Sequence, residues 1–239
     1  MSALRRFFVD NIQPQTYLEG EEFEHAKNVL RIGVGAEIIL LDNSGKEYTG
    51  VVAQVEKKRM LVNIVREEVG QREPLADVYL LFGYLKNADK NEFIVQKAVE
   101  LGVNRIAVFS SAYSSAYVND NKIERLNKVS KEAAKQCLRS FAPKVEYFPT
   151  LTAALESANG YKDKLFACEF AEKSDIALTS LSKNCAIVIG SEGGFSREEA
   201  ELAQQEGYAF VSLGKRILRA ETAAISLTAV VMHALGEWQ

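Results

Sequence analysis

From residue 78 onward the chain alternates short, nearly unbroken apolar runs with longer amphipathic stretches. VYLLFGYL (78–85), RIAVFSS (105–111), KLFACEF (164–170), CAIVIG (185–190) and YAFVSLG (208–214) read as strands. Between and after them NEFIVQKAVELG, closing on a C-cap glycine at Gly102, NKIERLNKVSKEAAKQCLRS, SREEAELAQQEG and TAAISLTAVVMHALGEW read as helices. In the second of these, Ile123, Leu126, Val129, Ala133 and Cys137 share one face. A strand that is apolar on successive residues must be covered on both faces, and crossover helices provide that cover. The pattern predicts an α/β domain built on a parallel sheet.

The first seventy residues have a different rhythm. EIILLD and EYTGVVAQV flank the turn signal DNSG, which predicts a hairpin. KRMLVNIVREE reads as a further strand, RRFFV as another, and EEFEHAKNVL as a short helix. Together they suggest a small β-barrel over residues 1–70, a linker over 71–77 and the α/β domain over 78–239.

Several function classes are disfavoured. No run of about 18 apolar residues occurs, so no membrane span is expected. MSALRRFFVD has no apolar stretch after its charges, so no signal peptide is expected. Cys137, Cys168 and Cys185 are odd in number and widely spaced, as suits buried thiols in a reducing cytoplasm. With only His25 and His233 available, a histidine zinc site or a Ser-His-Asp triad is disfavoured, and no metal is expected. The net charge of −3 hides one basic segment: residues 76–145 carry 11 basic and 7 acidic side chains, while both flanks are acidic. A polyanion would meet the chain there, unless the excess is only a solvated face.

The stretch GSEGGF (190–195) lies after an apolar strand and before a helix. It fits neither G-x-G-x-x-G, nor a P-loop, nor a G-x-S-x-G elbow. Ser196 with Glu199 reads as a capping box, so the loop could be no more than a tight turn. A second glycine-marked strand end, at Gly214, leads through KRILRAETA into the last helix. Two such loops at the carboxyl ends of parallel strands could form one pocket. Backbone groups would line it, which suits an adenosine better than a polyphosphate.

IVIGSEGGFSREEAELA together with VSLGKRILRAETAAISLTAVV closely resembles the C-terminal signature of the RsmE-type methyltransferases. These are the 16S ribosomal RNA uridine-N3 methyltransferases of the SPOUT superfamily. The resemblance covers nearly the whole chain: RRFFVD and HAKNVLRIGVGAEI look like the family's PUA-like RNA-binding domain, and FIVQKAVELGVNRI and KEAAKQCLR like its central motifs. The chain departs from the pattern in three places. Ser191 stands where the family usually has Pro, Lys135 where it usually has an acidic residue, and SSAYSS lacks the charges common there. The resemblance implies a trefoil-knotted α/β domain, S-adenosylmethionine as methyl donor with S-adenosylhomocysteine as product, and a homodimer packed partly through its C-terminal helix. It also implies 3-methyluridine at the position usually numbered 1498, with small-subunit rRNA as partner; the assembled subunit is the expected context, and the sequence does not decide between it and naked RNA.

Carried over by motif, the cofactor residues are Gly190, Ser191, Glu192, Gly193 and Gly194, then Leu213 and Gly214, then Ile217, Leu218, Arg219, Thr222 and Ala223, with Glu169 at the rim. Ile217 and Leu218 could equally be core. Uridine N3 holds a proton at neutral pH, so the reaction needs a group that stabilises the anion or removes the proton. Arg219 and Arg139 are the candidates for the first task, Glu192 and Glu221 for the second. The alternative for Arg219 is a carboxylate pair that only braces its loop. RNA contacts are expected from Arg5, Arg6, His25, Lys27 and Arg31, from Lys86, and from a stripe of Lys122, Arg125, Lys128, Lys131, Lys135 and Arg139. Glu124 and Glu132 interrupt the stripe, so part of it could be surface pairing. Two competing readings are a non-catalytic RNA-binding assembly factor on the same fold and a hydrolase using GSEGG as an oxyanion loop.

Overall fold

The structure is a computed structural model and describes residues 4–114, 116–171, 174 and 177–238. Ser115 of the SSAYSS stretch lies outside them. The chain forms two compact units, Met1–Glu73 with Ala134–Ala142, and Pro74–Ala133 with Pro143–Gln239.

The first unit holds β1 (Arg6–Phe8), β2 (Gln15–Glu19), β3 (Glu37–Leu41), β4 (Lys46–Val55) and β5 (Arg59–Val69), in the sheet order β1-β3-β4-β5-β2. The predicted hairpin is β3–β4, turning through left-handed Asn43 and Gly45. Two register shifts in the β4–β5 pairing bend the sheet. Phe7, Leu18, Ile38, Leu40, Met60 and Val62 point into one core with Phe23 and Ala26. Phe23 comes from α1 (Gly20–Glu24) and Ala26 from the π-helical turn, His25–Val29, into which α1 runs on. β2 escaped the sequence reading because it is five residues long and buries only Thr16 and Leu18.

The second unit carries β6 (Asp77–Gly83), α2 (Ala88–Leu101), β7 (Arg105–Phe109), α3 (Asp120–Gln136), β8 (Val145–Phe148), α4 (Leu151–Ser157), β9 (Asp163–Ala167), β10 (Asn184–Ile189), α5 (Arg197–Gln205), β11 (Ala209–Val211) and α6 (Ala220–Ala234). The six strands lie in the order β11-β9-β10-β6-β7-β8, and every pairing between them is parallel. β6 and β10 are the central pair, and nearly all their residues are buried. One face packs on α4 and α5 through Tyr79, Leu81, Val188, Leu155 and Ala203. α6 packs on α2, β6 and β10. α4 was missed because it has only two turns, although Thr150 caps it through the N–H of Ala153.

α3 stops earlier than its periodicity suggests. It ends at Gln136, so Cys137 lies past the helix, and Leu138 adopts a left-handed φ of 65°. The cause is Glu73: its carboxylate accepts from the Arg139 guanidinium at 2.8 and 3.0 Å and from the backbone N–H groups of Ser140 and Phe141 at 2.8 and 3.1 Å. These charge-assisted bonds outweigh another helical turn.

Gly102 does cap α2, at φ 99°, with a hypothetical Cβ 2.8 Å from Met232 Cε of α6. Gly102→Ala places a side chain in the left-handed region and should cost about 1–2 kcal/mol. The expected result is a lower thermal midpoint with unchanged helix content by circular dichroism; an unchanged midpoint would refute the assignment of this cap.

Candidate active site

All six parallel strands end on the same edge. There, three sheet neighbours, β11, β9 and β10, release the loops that follow Val211, Ala167 and Ile189. Cys168–Ala171, Gly190–Phe195 and Ser212–Arg219 contribute walls to a cavity of about 1010 Å3, closed by Lys90 of α2 and by Ala220, Glu221 and Ala223 of α6. The strands are shorter than their apolar runs suggested, because the tails of KLFACEF and YAFVSLG leave the sheet and become pocket wall.

The glycine loop is both a tight turn and a wall. Gly194 has φ 67°, and its N–H donates to the Ser191 carbonyl at 3.0 Å. A Cβ on Gly190 would come within 3.1 Å of Gly194 Cα. Phe195 is buried and its ring centroid lies 4.1 Å from that of Phe166, anchoring the loop to the core. The Ser196–Glu199 capping box forms as expected, and the other Glu199 oxygen accepts from Ala112 N–H at 2.7 Å. A further contributor is Gly83 at the end of β6, where a Cβ would lie 2.5 Å from Ser191 N. A lone glycine in an apolar strand is the signal that could have revealed this close approach. Behind it, fully buried Asn91 bonds both the N–H and the carbonyl of Leu85, fixing the β6–α2 turn.

Of the expected cofactor residues, Glu169, Gly190, Ser191, Glu192, Gly194, Leu213, Gly214, Ile217, Leu218, Arg219 and Ala223 line the cavity. Gly193 and Thr222 are not among its lining residues: Gly193 faces Tyr113, where a Cβ would lie 2.6 Å from Tyr113 Cβ, and Thr222 is exposed in the first turn of α6. Ile217 is 92% exposed, so the core alternative fails for it. Gly214 has φ 91° and open space where a Cβ would project. Lys90, Cys168, Phe170, Ala171, Ser212, Lys215 and Arg216 also line the cavity and were not anticipated. Lys90 could not have been, because nothing in ADKNEFIV distinguishes it from an ordinary surface lysine.

Among the proposed reactive groups, Arg219, Glu192 and Glu221 line the cavity and Arg139 does not. Arg139 is 3% exposed in the first unit, with its guanidinium on Glu73. Arg219 is the exposed N-cap residue of α6 and makes no side-chain cap bond. Glu192 Oε1 accepts from Lys86 N–H at 3.0 Å. Glu221 Oε1 holds Lys90 Nζ at 2.9 Å. Burial opposes ionisation of Glu221, but the Lys90 hydrogen bond, its own backbone N–H and the charges of Lys90 and Arg219 outweigh it and hold the carboxyl below its ordinary value of 4.5. That makes it a poorer proton acceptor than a free carboxylate, and a tie between α6 and Lys90 of α2. Burial pushes the Cys168 thiol up, which disfavours a thiolate nucleophile in this wall.

Pairing restricts the expected RNA-binding set. The Arg6 side chain is 8% exposed and bonded to Glu47 at 2.8 Å. Arg125 forks onto Glu92, Lys128 is 3.5 Å from Glu124, and Lys135 bonds both oxygens of Glu22 at 3.1 Å. Lys27 Nζ donates to the Glu56 carbonyl, Lys122 Nζ lies over the Tyr84 ring, and His25 meets Phe7 edge-on. Arg5, Arg31, Lys86 and Lys131 are exposed. Among the described residues no group of three or more His, Cys, Asp or Glu could hold a metal ion, and no helix is long and apolar enough to cross a membrane.

The RNA methyltransferase domain family matches residues 71–232, and the RNA methyltransferase PUA domain family matches residues 18–65. The chain is 31% identical to the Ribosomal RNA small subunit methyltransferase E of Bacillus subtilis, over 96% of both chains. It is 37% identical to the protein of that name in Mesomycoplasma hyopneumoniae, over 69% of this chain and 73% of the other. A crystal structure of the Neisseria gonorrhoeae Ribosomal RNA small subunit methyltransferase E, bound to S-adenosyl methionine, superposes with a TM-score of 0.84 at 26% identity, covering 99% of this chain and 100% of that one.

Because the folded pKa of Glu221 is depressed, its contribution to stability is present above pH 4.5 and is lost as pH falls through the lowered value. Glu221→Gln should therefore lower the thermal midpoint at pH 7, with the gap to wild type closing as the pH drops below the ordinary carboxylate range. A gap that stays constant down to pH 3 would assign the loss to packing instead of charge.

Proposed function

Since the chain belongs to the ribosomal RNA small subunit methyltransferase E family, we propose that it methylates small-subunit (16S) ribosomal RNA using S-adenosylmethionine, at N3 of one uridine. The observation that carries this reading is the cavity made from the carboxyl-end loops of β9, β10 and β11. Its residues fit an S-adenosyl group. Its volume, about 1010 Å3, is ample for one. Glycines at 190, 194 and 214 keep side chains off the wall, so that backbone N–H and C=O groups are available to a nucleoside. Bound there, the cofactor would supply a methyl group activated by a sulfonium.

The chain's own task is to present the uridine and to stabilise the charge that its N3 gains. Arg219 is the residue we assign to that charge. It lies in the cavity wall and is exposed, and its charge reaches the neighbouring Glu221 carboxylate. A guanidinium facing a uracil oxygen would stabilise the developing anion electrostatically. Glu221, ionised and bonded to Lys90, ties α6 to α2 and so fixes the helix end from which Arg219 projects. Glu192 is the carboxylate we assign to accept the N3 proton, since it lines the cavity and, among the described residues, its one hydrogen bond is from Lys86 N–H to Oε1. Arg139 is withdrawn from the reaction of its own protomer by its bond to Glu73.

The same reading assigns RNA binding to the domain over residues 1–70, with exposed Arg5 and Arg31, and to Lys86 and Lys131 in the domain over 78–239, joined by 71–77. It includes the threading of the C-terminal segment into a knot, a homodimer, a cytoplasmic location and the assembled small subunit as substrate.

The test is a transfer assay with labelled S-adenosylmethionine and unmodified small subunits, followed by nuclease digestion and mass spectrometry of the nucleosides. N3-methyluridine at one position is expected, and Arg219→Ala should lower turnover about 100-fold or more. A methyl group on another atom would sink the uridine-N3 assignment, and full turnover by Arg219→Ala would remove that residue from the mechanism.

A further inference from the structure

Gly193 is the one glycine of the GSEGGF loop that does not line the cavity. It abuts Tyr113 instead, where a Cβ on the glycine would lie 2.6 Å from Tyr113 Cβ. The next residue, Gly194, abuts Glu169, whose Oε1 would lie 3.1 Å from a Cβ there. Phe170 follows Glu169 in the cavity wall, with the Arg197 guanidinium 5.7 Å from the centre of its ring. Two aromatic side chains therefore border the same loop at the edge of the cavity. Both are open to solvent, Tyr113 at 56% and Phe170 at 45%.

A single exposed aromatic residue needs no explanation. Tyr113 is distinguished by how it is held. Ser114 N–H donates to the Ser111 carbonyl at 2.9 Å, Ser111 N–H donates to Ser114 Oγ at 2.9 Å, and Ala112 N–H donates to the Glu199 carboxylate at 2.7 Å. The turn is fixed, and its tyrosine is displayed to solvent at little further entropic cost. SSAYSS contains no charged residue, so this turn offers a polyanion a ring and no ion pair. The cations stand elsewhere on the rim. Lys215, Arg216 and Arg219 are exposed in the cavity wall, against the exposed carboxylates of Glu169 and Glu192. Exposed rings beside a surplus of cations match a single nucleic-acid strand, which brings planar bases and phosphates together.

Methylation at uridine N3 makes the same demand from the substrate side. N3 lies on the base-pairing edge, so the target base must be unpaired and drawn into the cavity, and its neighbours in the strand lose a stacking partner. Aromatic side chains replace that stacking whatever the base. We propose that Tyr113 and Phe170 form a stacking rim for the single-stranded RNA bases next to the target uridine. The inference deepens the methyltransferase reading of the cavity and rests on it. It makes Tyr113 a determinant of RNA affinity that has no part in holding the cofactor.

The test is the transfer assay on unmodified small subunits, run at saturating S-adenosylmethionine with the wild type, Tyr113→Ala, Tyr113→Phe and Phe170→Ala. Isothermal titration with S-adenosylhomocysteine and sedimentation accompany it for the wild type and Tyr113→Ala. The expected outcome is a KM for subunits about fivefold or more higher in each alanine variant, the fold-change of one lost base stack. Tyr113→Phe keeps the ring and should match the wild type, and Tyr113→Ala should bind S-adenosylhomocysteine as the wild type does. An unchanged KM in either alanine variant would overturn the proposal, as would a Tyr113→Phe protein as impaired as Tyr113→Ala. Weaker S-adenosylhomocysteine binding by Tyr113→Ala would also overturn it, since the side chain would then brace the glycine loop. So would a Tyr113→Ala protein that sediments as a monomer where the wild type is a dimer, since the ring would then cover a second copy of the chain. A wild type that transfers no methyl group would instead remove the methyltransferase reading itself, and with it this inference.

Discussion

Every strand of the α/β unit runs the same way, and the position of the site follows from that. In a parallel sheet the loops at the carboxyl ends all emerge on one edge, where chain segments far apart in sequence become neighbours. Residues 168–171, 190–195 and 212–219 meet in one wall only because β9, β10 and β11 are adjacent and parallel. The order in space differs from the order in sequence: β10 pairs with β6 on one side and β9 on the other, and β11 pairs with β9. The core enforces this arrangement. β6 and β10 bury nearly every residue, so neither could serve as an exposed edge strand.

That constraint was legible in the sequence, and its consequences were legible only in part. Apolar runs alternating with helical periodicity determine a parallel sheet, and two glycine-marked strand ends identify the walls of a pocket. What periodicity cannot reveal is where a strand stops contributing to the ladder. Cys168, Glu169 and Phe170 continue an apolar run in sequence, yet their backbone leaves β9 and borders the cavity. Short elements were lost for a related reason. β2, β8 and α4 are five, four and seven residues long, too short for a period to declare itself, and tertiary contacts hold them in place. Lys90 was invisible because its role depends on Glu221, 131 residues away in the chain.

Charge was the least legible property. A basic stripe on a helix suggests a polyanion surface, but in the folded protein most of its members have carboxylate partners that the sequence places far off or on the next helical turn. Arg125 takes Glu92, Lys128 takes Glu124, Lys135 takes Glu22 and Arg139 takes Glu73. These pairs differ in kind. Exposed ones such as Lys128–Glu124 contribute little to stability and can open to meet a phosphate. Lys135 and Arg139, with side chains 9% and 3% exposed, are held by multiple hydrogen bonds and define where α3 ends. A count of lysines and arginines treats both alike, and only burial separates the charges open to solvent from those that shape the first unit.

The pocket itself shows how a wall of small residues and a few fixed charges divide their work. A Cβ at Gly83 would lie 2.5 Å from Ser191 N and one at Gly190 3.1 Å from Gly194 Cα, while Gly194 holds a φ of 67°, so these glycines keep the loop tight and rigid without adding side chains to the cavity. Rigidity of this kind matters for a transfer reaction, where rate depends on holding two reactants in line. The charged residues then need no freedom of their own. Glu221 is kept ionised by Lys90, and it borders the helix start from which Arg219 reaches the cavity. Two further carboxylates, Glu169 and Glu192, stand in the same wall, and Glu192 gives one oxygen to the N–H of Lys86, so the acidic groups divide between tying α6 to α2 and tying the glycine loop to the turn before α2.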